Sequence, residues 1–460
     1  MQIQSSQRLA VADFGKTHTR FAVLSPSLEI EAGVEIASAR FQRDGLLDIA
    51  ALARWCEQAL DELHAQAPFA HLMPVTHGAA VVALRDNRAL PVQDYEAAID
   101  PCWSERYDAL RPPFAQTGSP LLPNGLNLGR QLYARANTDP DFALADTLLT
   151  YPQHWVWRWC GARGTDVSSL GCHTDLWQPR RNTWSSLARA QSWQRQFPPL
   201  VAAGDVAAPL HAALAQRLRI RQNVAVHWGA HDSNAALAAF LGEREPFTLL
   251  STGTWLVAFA VGGAATELDE RRDTQWMVDV HGRPVACARF MAGRERERIA
   301  GNAPAADVAA LGELLCADAL ALPGFAPGGP FPHATPPAKS FIGSVPDHSG
   351  GRAALASLYI ALMTDAMLDL IGARGALHVE GPLAQDAAAL AALAALRPAQ
   401  TVYATGQSCV LSGAARLALG RCAVSTPPCR AIVAPADLQP LLHARRQRWR
   451  QALAEDIRSD

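Results

Sequence analysis

Two short polar turns, each set between apolar runs, carry the residues of this chain best suited to holding phosphate. The first is Gly15-Lys16-Thr17-His18-Thr19-Arg20, which follows Leu9 to Asp13 and precedes Phe21 to Leu24. Runs of small, branched and aromatic residues of that length read as buried strands, so the segment is a hairpin with a glycine at its tip. Backbone N–H groups and hydroxyls in such a turn can cradle a phosphate, and Asp13, at the end of the buried strand, stands where a carboxylate can hold Mg²⁺ through water. An ordinary hairpin is the competing reading. A P-loop is excluded: it needs a glycine five positions before Gly15, where Ala10 stands, and a following helix, where Phe21-Ala22-Val23-Leu24 reads as strand. The second turn, Ser251-Thr252-Gly253-Thr254 within Phe247 to Phe259, repeats the design. One hairpin is weak evidence, but one in each half of the chain suits a protein that grips a polyphosphate from both sides of a cleft.

Further chemistry-bearing residues fall at strand ends. Gly229-Ala230-His231-Asp232 follows the strand Val224 to Trp228 and precedes Ser233 to Leu241, a strong helix former. Asp232 is thus at a helix start, where Asp is a good N-cap; catalysis by its carboxylate does not exclude that role. Thr76-His77-Gly78 lies between the strands Leu72 to Val75 and Ala79 to Leu84, and a strand from Ala89 to Val92 ends in Asp94-Tyr95-Glu96. Polar clusters at strand ends are common ligand sites, although His77 taken alone reads more readily as a satisfied structural histidine. Glu380-Gly381-Pro382, between the strand Ala376 to Val379 and an alanine- and leucine-rich helix, is a place for a nucleotide base and ribose, but many α/β connections look the same. Cys172-His173 with Asp175 could form part of a metal site, yet no second ligand pair has a suitable spacing, which disfavours it, and the nearby Trp155, Trp157, Trp159 and Trp177 read simply as core.

The elements that must position these residues follow from periodicity. Helical spacing marks Leu47 to Ala65, Ala306 to Leu320 and the long apolar run Arg352 to Ile371, while the aromatic-rich Leu148 to Trp159 reads as a largely buried helix. Phe114 to Asn127 and Leu322 to Pro337 read as loops rich in proline and glycine. Ser412-Gly413-Ala414-Ala415 opens a small-residue helix able to pack closely on a neighbour, and the basic Leu441 to Arg450 reads as a solvated helix face.

At 460 residues the chain is too long for one core and is expected to form two large lobes. With 49% hydrophobic and 18% charged residues and a net charge of -2, the composition is that of a soluble globular protein and gives no broad electrostatic case for nucleic acid or an anionic membrane. Nine cysteines are scattered without a C-x-x-C pair, as expected for thiols in a reducing cytosol. The opening Met1 to Arg8 lacks an apolar signal core, and the longest apolar helix face, around Ala387 to Leu396, is too short to span a bilayer. A cytoplasmic protein acting on a small neutral or anionic metabolite is expected, with no nucleic-acid or membrane partner and with a homodimer left open.

Taken together, these segments resemble the FGGY family of carbohydrate kinases, over nearly the whole chain. The opening hairpin is similar to the family's first phosphate motif, with Asp13, Gly15, Thr17, Thr19 and Arg20 at the matching places and Lys16 departing from the usual small or hydroxyl residue. Thr76-His77-Gly78-Ala79 resembles the sugar loop of xylulokinases, and Asp94-Tyr95-Glu96 stands where many members carry an aromatic, aspartate and arginine pattern. Gly229-Ala230-His231-Asp232 looks like the segment that supplies the catalytic aspartate, and Ser251-Thr252-Gly253-Thr254-Trp255 like the second phosphate motif in its rhamnulokinase form. Glu380-Gly381-Pro382 is similar to the adenosine motif, although the family usually has paired glycines there.

The resemblance implies an α/β fold of two actin-like, ribonuclease H-like lobes around an ATP and sugar cleft. Residues 1–243 would carry the first hairpin and the sugar site, and residues 244–460 the second hairpin and the adenosine site. Asp232 would be the catalytic base; Asp13 would organise Mg²⁺; Gly15, Lys16, Thr17, Thr19, Arg20, Thr252, Gly253, Thr254 and Gly381 would contact ATP; and His77, Gly78, Asp94, Tyr95, Glu96 and His231 would meet the sugar. The implied activity is ATP-dependent phosphorylation of a small sugar, a ketose such as rhamnulose, fuculose or xylulose in preference to glycerol or another polyol. A scaffold protein of the same fold, non-catalytic or merely hydrolysing ATP, is the alternative: it would share both hairpins and need no sugar pocket. A sugar-binding regulator lacks support, because no helix-turn-helix signature is present.

Overall fold

The computed structural model describes residues 8–220, 223–243, 245–332, 340–420 and 424–456. The opening residues 1–7 and the end of the loop expected from Leu322 to Pro337 lie outside the described residues.

The opening apolar runs form β1 (Leu9–Phe14) and β2 (His18–Leu24), paired antiparallel with Asp13 opposite Arg20, and β3 (Ile30–Ala37) continues the meander. Next comes α1 (Ile49–Gln66), whose Asp48 side chain accepts the Ala51 N–H as a cap and whose Leu52, Leu60 and Leu63 are buried. It leads into β4 (His71–Thr76), parallel to β1. The run expected to be one helix from Leu148 divides: Thr147–Thr150 is a strand, and α2 (Tyr151–Cys160) starts after it, with Pro152 in the first turn, where a missing N–H costs nothing. Trp155, Trp159 and Trp177 are buried core as expected, whereas Trp157, expected there too, is only partly buried. Later come β5 (Val206–Pro209), β6 (Ala225–His227) and β7 (Ala230–His231), of which β6 and β7 both run parallel to β4. Helix α3 (Asp232–Ala238) follows directly.

The second sheet is built in the same way. Strands β8 (Phe247–Thr252), β9 (Leu256–Val261) and β10 (Pro284–Phe290) form an antiparallel meander. Helices α4 (Ala292–Ala300) and α5 (Ser349–Leu370) lead to β11 (Ala376–Glu380), which runs parallel to β8. Then come α6 (Ala387–Leu396), the parallel β12 (Val402–Thr405), α7 (Cys409–Leu419) and the antiparallel β13 (Cys429–Ile432). The echo seen between two hairpins therefore extends to whole sheets. The first reads β5-β6-β4-β1-β2-β3, with β7 also paired to β4, and the second β13-β12-β11-β8-β9-β10 with a seventh strand, Thr274–Val278, beside β10; in each, antiparallel strands are joined through β1 or β8 to parallel strands. The fold is mixed α/β with two lobes.

Contacts group the chain into two units. One holds Met1–Phe240, Trp276–Pro284 and Cys409–Thr426; the other holds Leu241–Gln275, Val285–Ser408 and Pro427–Asp460. The chain first changes unit near the expected boundary at 243, but two later segments belong with the first unit, so one boundary does not describe the division. The small-residue helix α7 is one of them, and it packs on α3 of the same unit. The expectation about apolar helices needs a correction. Helix α5, 22 residues long, is apolar and long enough to cross a membrane, whereas the expected longest apolar face lay at Ala387 to Leu396. Its apolar window is 83% buried inside the protein, which is how the core helix of a large lobe is built.

Candidate active site

In the first unit the ends of three neighbouring parallel strands bring chemistry together. Phe14 stands beside Thr76, and Thr76 beside His231, so β1, β4 and β7 deliver Asp13, His77 and Asp232 side by side at their C-terminal ends. Around His77 the rings of Tyr95 and Tyr151 lie at 5.4 and 5.1 Å. Its Nδ1 donates to the Gly78 carbonyl at 2.8 Å, which fixes the tautomer and leaves Nε2 as an acceptor. Burial first of all holds the His77 imidazole below its usual pKa, against the attraction of Asp232 and Asp94, so the ring is neutral. Tyr95 keeps its phenol proton: burial, then Glu96, Asp232 and Asp94, push its pKa up.

Asp232 is the first residue of α3, with His231 at the N-cap position. Its hydrogen bonds all fall on Oδ1, from the Ser233 N–H at 2.5 Å and the Ser233 hydroxyl at 3.2 Å, and the His231 ring approaches the same oxygen to 3.2 Å. Among the described residues no hydrogen bond falls on Oδ2. Gly78 is required here by a close approach: a Cβ would sit 2.8 Å from His231 Nε2 and 3.4 Å from Cys172 Sγ.

Lys16 has a clear place. Its ammonium pairs with Asp94 at 2.5 Å and Glu96 at 3.1 Å, and lies 4.4 Å from the centre of the Tyr95 ring. It therefore ties the first hairpin to the Asp94-Tyr95-Glu96 segment. Of the other tip residues, Thr17 is exposed and Gly15 and Arg20 are half-buried. Thr19 is buried, its hydroxyl 3.1 Å from that of Ser38, which in turn donates to the Gly15 carbonyl. That hydroxyl braces the turn from within.

In the second unit, Gly253 and Thr254 are exposed at the tip between β8 and β9, and a Cβ on Gly253 would meet no atom within 4 Å. Thr252 faces the other way. Its hydroxyl donates to the Glu380 carbonyl and accepts the Leu383 N–H at 3.1 Å, joining the hairpin to the segment after β11. Gly381, between them, has φ 77°, and a Cβ there would lie 2.1 Å from the Thr252 carbonyl, so only glycine fits. Pro382 opens a short 3₁₀ turn, where the N–H it lacks would have no helical partner. A cavity of about 280 Å³ opens at this junction, lined by Thr252, Gly253, Gly293, Arg296, Leu383 and Asp386 among others.

The comparisons with known proteins agree on one assignment. Residues 244–426 match the family described as carbohydrate kinase FGGY, C-terminal domain. A solved carbohydrate kinase from Novosphingobium aromaticivorans is 36% identical, over 98% of this chain and 99% of that one, with a TM-score of 0.88. The chain belongs to the FGGY carbohydrate kinase family. The kinase is thus a phosphotransferase. More distant structures share the fold: a xylulose kinase from Brucella ovis, 18% identical over 98% of this chain and 100% of that one with a TM-score of 0.80, and a Plasmodium falciparum glycerol kinase solved with ADP, 10% identical over 98% of each with a TM-score of 0.75. No curated protein matches by sequence.

Some of the kinase's site neighbours had no clear sequence signal. Gly293 and Arg296 reach the second-unit cavity from α4, some forty residues after the hairpin, with nothing in their local pattern to announce it. Asn234 carried a usable one: it follows His231 by three residues at a helix start, and its Oδ1 lies 2.7 Å from His231 Nδ1. Cys172, His173 and Asp175 do not converge as a metal site. Asp175 is buried against Tyr107 and Arg111, while Cys172 faces His231. Among the described residues no group of three or more His, Cys, Asp or Glu side chains could hold a metal ion.

Proposed function

We propose that the kinase transfers the γ-phosphoryl group of ATP to a hydroxyl of a small sugar, a ketose being the class to test first. The observation that carries this reading is the meeting of Asp232, His77 and Tyr95 at the ends of β4 and β7, with Lys16 and Asp94 beside them. Phosphoryl transfer asks the protein for in-line positioning, charge neutralisation and a base near the attacking oxygen. Asp232 Oδ2 is the base: the sugar O–H bond breaks and its proton passes to Oδ2, the oxygen bonds to the γ-phosphorus, and the bond from that phosphorus to the β,γ-bridging oxygen breaks so that ADP leaves. His77 Nε2 accepts, and the Tyr95 phenol donates, hydrogen bonds to the neighbouring hydroxyls, which together with Gly78 and Glu96 complete the sugar contacts; both ring nitrogens of His231 face protein groups, Asn234 on one side and Asp232 with Cys172 on the other.

ATP fits the second unit's cavity, which has the volume and small-residue lining for part of a nucleotide, with the open tip Gly253-Thr254 free to meet phosphate. Thr252 and Gly381 hold the cavity's shape. In the first unit Gly15, Thr17 and Arg20 offer further phosphate contacts. Mg²⁺ needs no protein cage, since it keeps waters and bridges to substrate phosphates; Asp13 would hold it through water, and bound there it would neutralise phosphate charge. The test is an Asp232→Asn variant. It should retain ATP binding and lose sugar phosphorylation by about 10³-fold or more, and retained activity would refute the base assignment. Sugar-dependent ADP release across a panel of ketoses and polyols identifies the acceptor.

A further inference from the structure

Next to Asp232 lie a thiol and an imidazole that the reaction just described leaves without a chemical role. Cys172 and His231 are 2% and 5% exposed, with Sγ 3.7 Å from Nε2. The ring's protonation follows from its partners. Asn234 Nδ2 donates to the Val278 carbonyl, which can only accept, so the amide oxygen faces the ring and His231 Nδ1 carries a proton. Nε2 then faces the Asp232 carboxylate oxygen at 3.2 Å, which accepts a hydrogen bond, so a proton on Nε2 is favoured, and such a proton also faces the Cys172 sulfur at 3.7 Å. The His231 N–H donates to Ser168 Oγ, itself held by Asp166, so the residue is fixed from several sides.

The groups facing this pair reinforce the charge separation. Cys172 lies between His231 and His173, and His173 Nδ1 donates to the Leu126 carbonyl at 2.8 Å. Burial resists ionisation of the thiol, but the charges of His173 and His231 and their hydrogen bonds outweigh it and pull its pKa down to about 6. Burial likewise resists the imidazolium, but Cys172 and Asp232, with bonds to Cys172 and Asn234, hold it up at about 10. Tyr95 and His77, the other titratable groups facing Asp232, are both neutral.

We propose that Cys172 and His231 form a buried thiolate–imidazolium pair whose cation pins Asp232 by Oδ1 and so presents Oδ2 to the sugar hydroxyl. The proposal rests on Asp232 being the base. Cys172 touches no reacting atom; it is a positioning residue acting through His231.

The direct test is an ultraviolet titration of thiolate in the folded wild-type protein, which needs no variant to fold. One thiolate should form near about pH 6, and it should be missing from Cys172→Ser and from His231→Gln. Cys172→Ser should lower kcat about tenfold with the sugar KM within about twofold, and should bring a new alkaline fall in kcat, because His231, left with the Asp232 carboxylate as its one neighbouring anion, loses its proton at lower pH. Cys172→Asp, which restores an anion, should recover the wild-type profile. Absence of any thiolate below about pH 8 in the wild type, or a Cys172→Ser enzyme with unchanged kcat and pH profile, overturns the proposal. Retained activity in Asp232→Asn overturns the base reading instead, and it would do so with the thiolate signal intact.

Discussion

Replacing Lys16 with methionine keeps the aliphatic stem and removes the charge, which separates two possible jobs for this residue. The ammonium lies 2.5 Å from Asp94, and the two side chains are 20% and 9% exposed; Glu96, at 3.1 Å, is 65% exposed. At an effective dielectric near 20 the attraction at such a distance is roughly 6 to 7 kcal/mol before desolvation. Truncating one member of a mostly buried, hydrogen-bonded pair typically costs about 2 to 5 kcal/mol, and the exposed Glu96 member adds about 0 to 1. Taking the lower end, about 2 kcal/mol, Lys16→Met should raise the sugar KM roughly 30-fold by loosening Asp94-Tyr95-Glu96, while the ATP KM stays within about twofold. Steady-state kinetics with each substrate varied in turn reads this directly. A cycle with Asp94→Asn should be non-additive by about 1 to 2 kcal/mol. A tenfold rise in the ATP KM with an unchanged sugar KM would show that Lys16 serves phosphate instead, and an additive cycle would refute the pairing argument.

Further outcomes can be checked by melting and kinetics. Gly413→Ala places a Cβ 1.7 Å from the Ala235 carbonyl, so α7 and α3 must separate; a loss of about 3 kcal/mol or more in stability, with activity falling as Asp232 shifts, is expected from thermal melts and kcat. Thr252→Val removes the donor to Glu380 and the acceptor for Leu383, and should cost about 1 to 3 kcal/mol and raise the ATP KM selectively. Glu295 is buried on α4 beside Tyr359, and burial, only partly offset by the Tyr359 hydrogen bond, lifts its pKa to about 7. The folded state therefore binds the proton more tightly: its contribution is full below about pH 4.5 and is lost as pH rises to 7, so Tm should fall between about pH 4.5 and 7 and level off above, and Glu295→Gln should flatten that slope. His154 behaves in the opposite sense. Its two ring nitrogens are buried with no hydrogen-bond partner among the described residues, and burial, then Arg158, lowers its pKa to about 3, so stability falls as pH drops below about 6.5; His154→Leu should raise Tm and flatten the acid limb.

The fold was legible where local signals and long-range packing agree. The two hairpins, α1 and the strand before Asp232 carry alternation, helical spacing and caps within a few residues, and they form as read. The helix expected from Leu148 misled because Leu148 and Leu149 are as apolar as the helix that follows, and only pairing with Val81–Arg85 makes them strand. The membrane estimate erred for a related reason: Ser349–Leu370 is apolar on all sides because neighbours cover all sides, which periodicity alone cannot distinguish. At the site, chemistry placed by adjacent strand ends was legible, since each residue sits next to its own strand. Lys16 and Cys172 were not, because their meaning comes from Asp94 and His231, 78 and 59 residues away.

The duplicated sheets also bear on how work is divided within the kinase. Each carries a hairpin tip and a parallel strand ending beside it, β4 with β1 in one unit and β11 with β8 in the other. The first has filled that address with Lys16, His77, Asp94, His231 and Asp232, charged or titratable groups held by one another. The second has filled it mainly with Gly253, Gly293 and Leu383 around a cavity, with Arg296 and Asp386 also on its lining, and its half-buried Thr252 hydroxyl is spent on backbone. Charged groups that move a proton need partners to fix them, whereas a nucleotide base needs volume and apolar walls. Substitutions at the first address should therefore act through kcat, the sugar KM and the pH profile, and those at the second through the ATP KM. A Gly293→Val enzyme tests the split: its Cβ would press to 2.7 Å from the Gly253 carbonyl, so the ATP KM should rise at least tenfold with the pH profile unchanged, and a shifted profile would contradict the division.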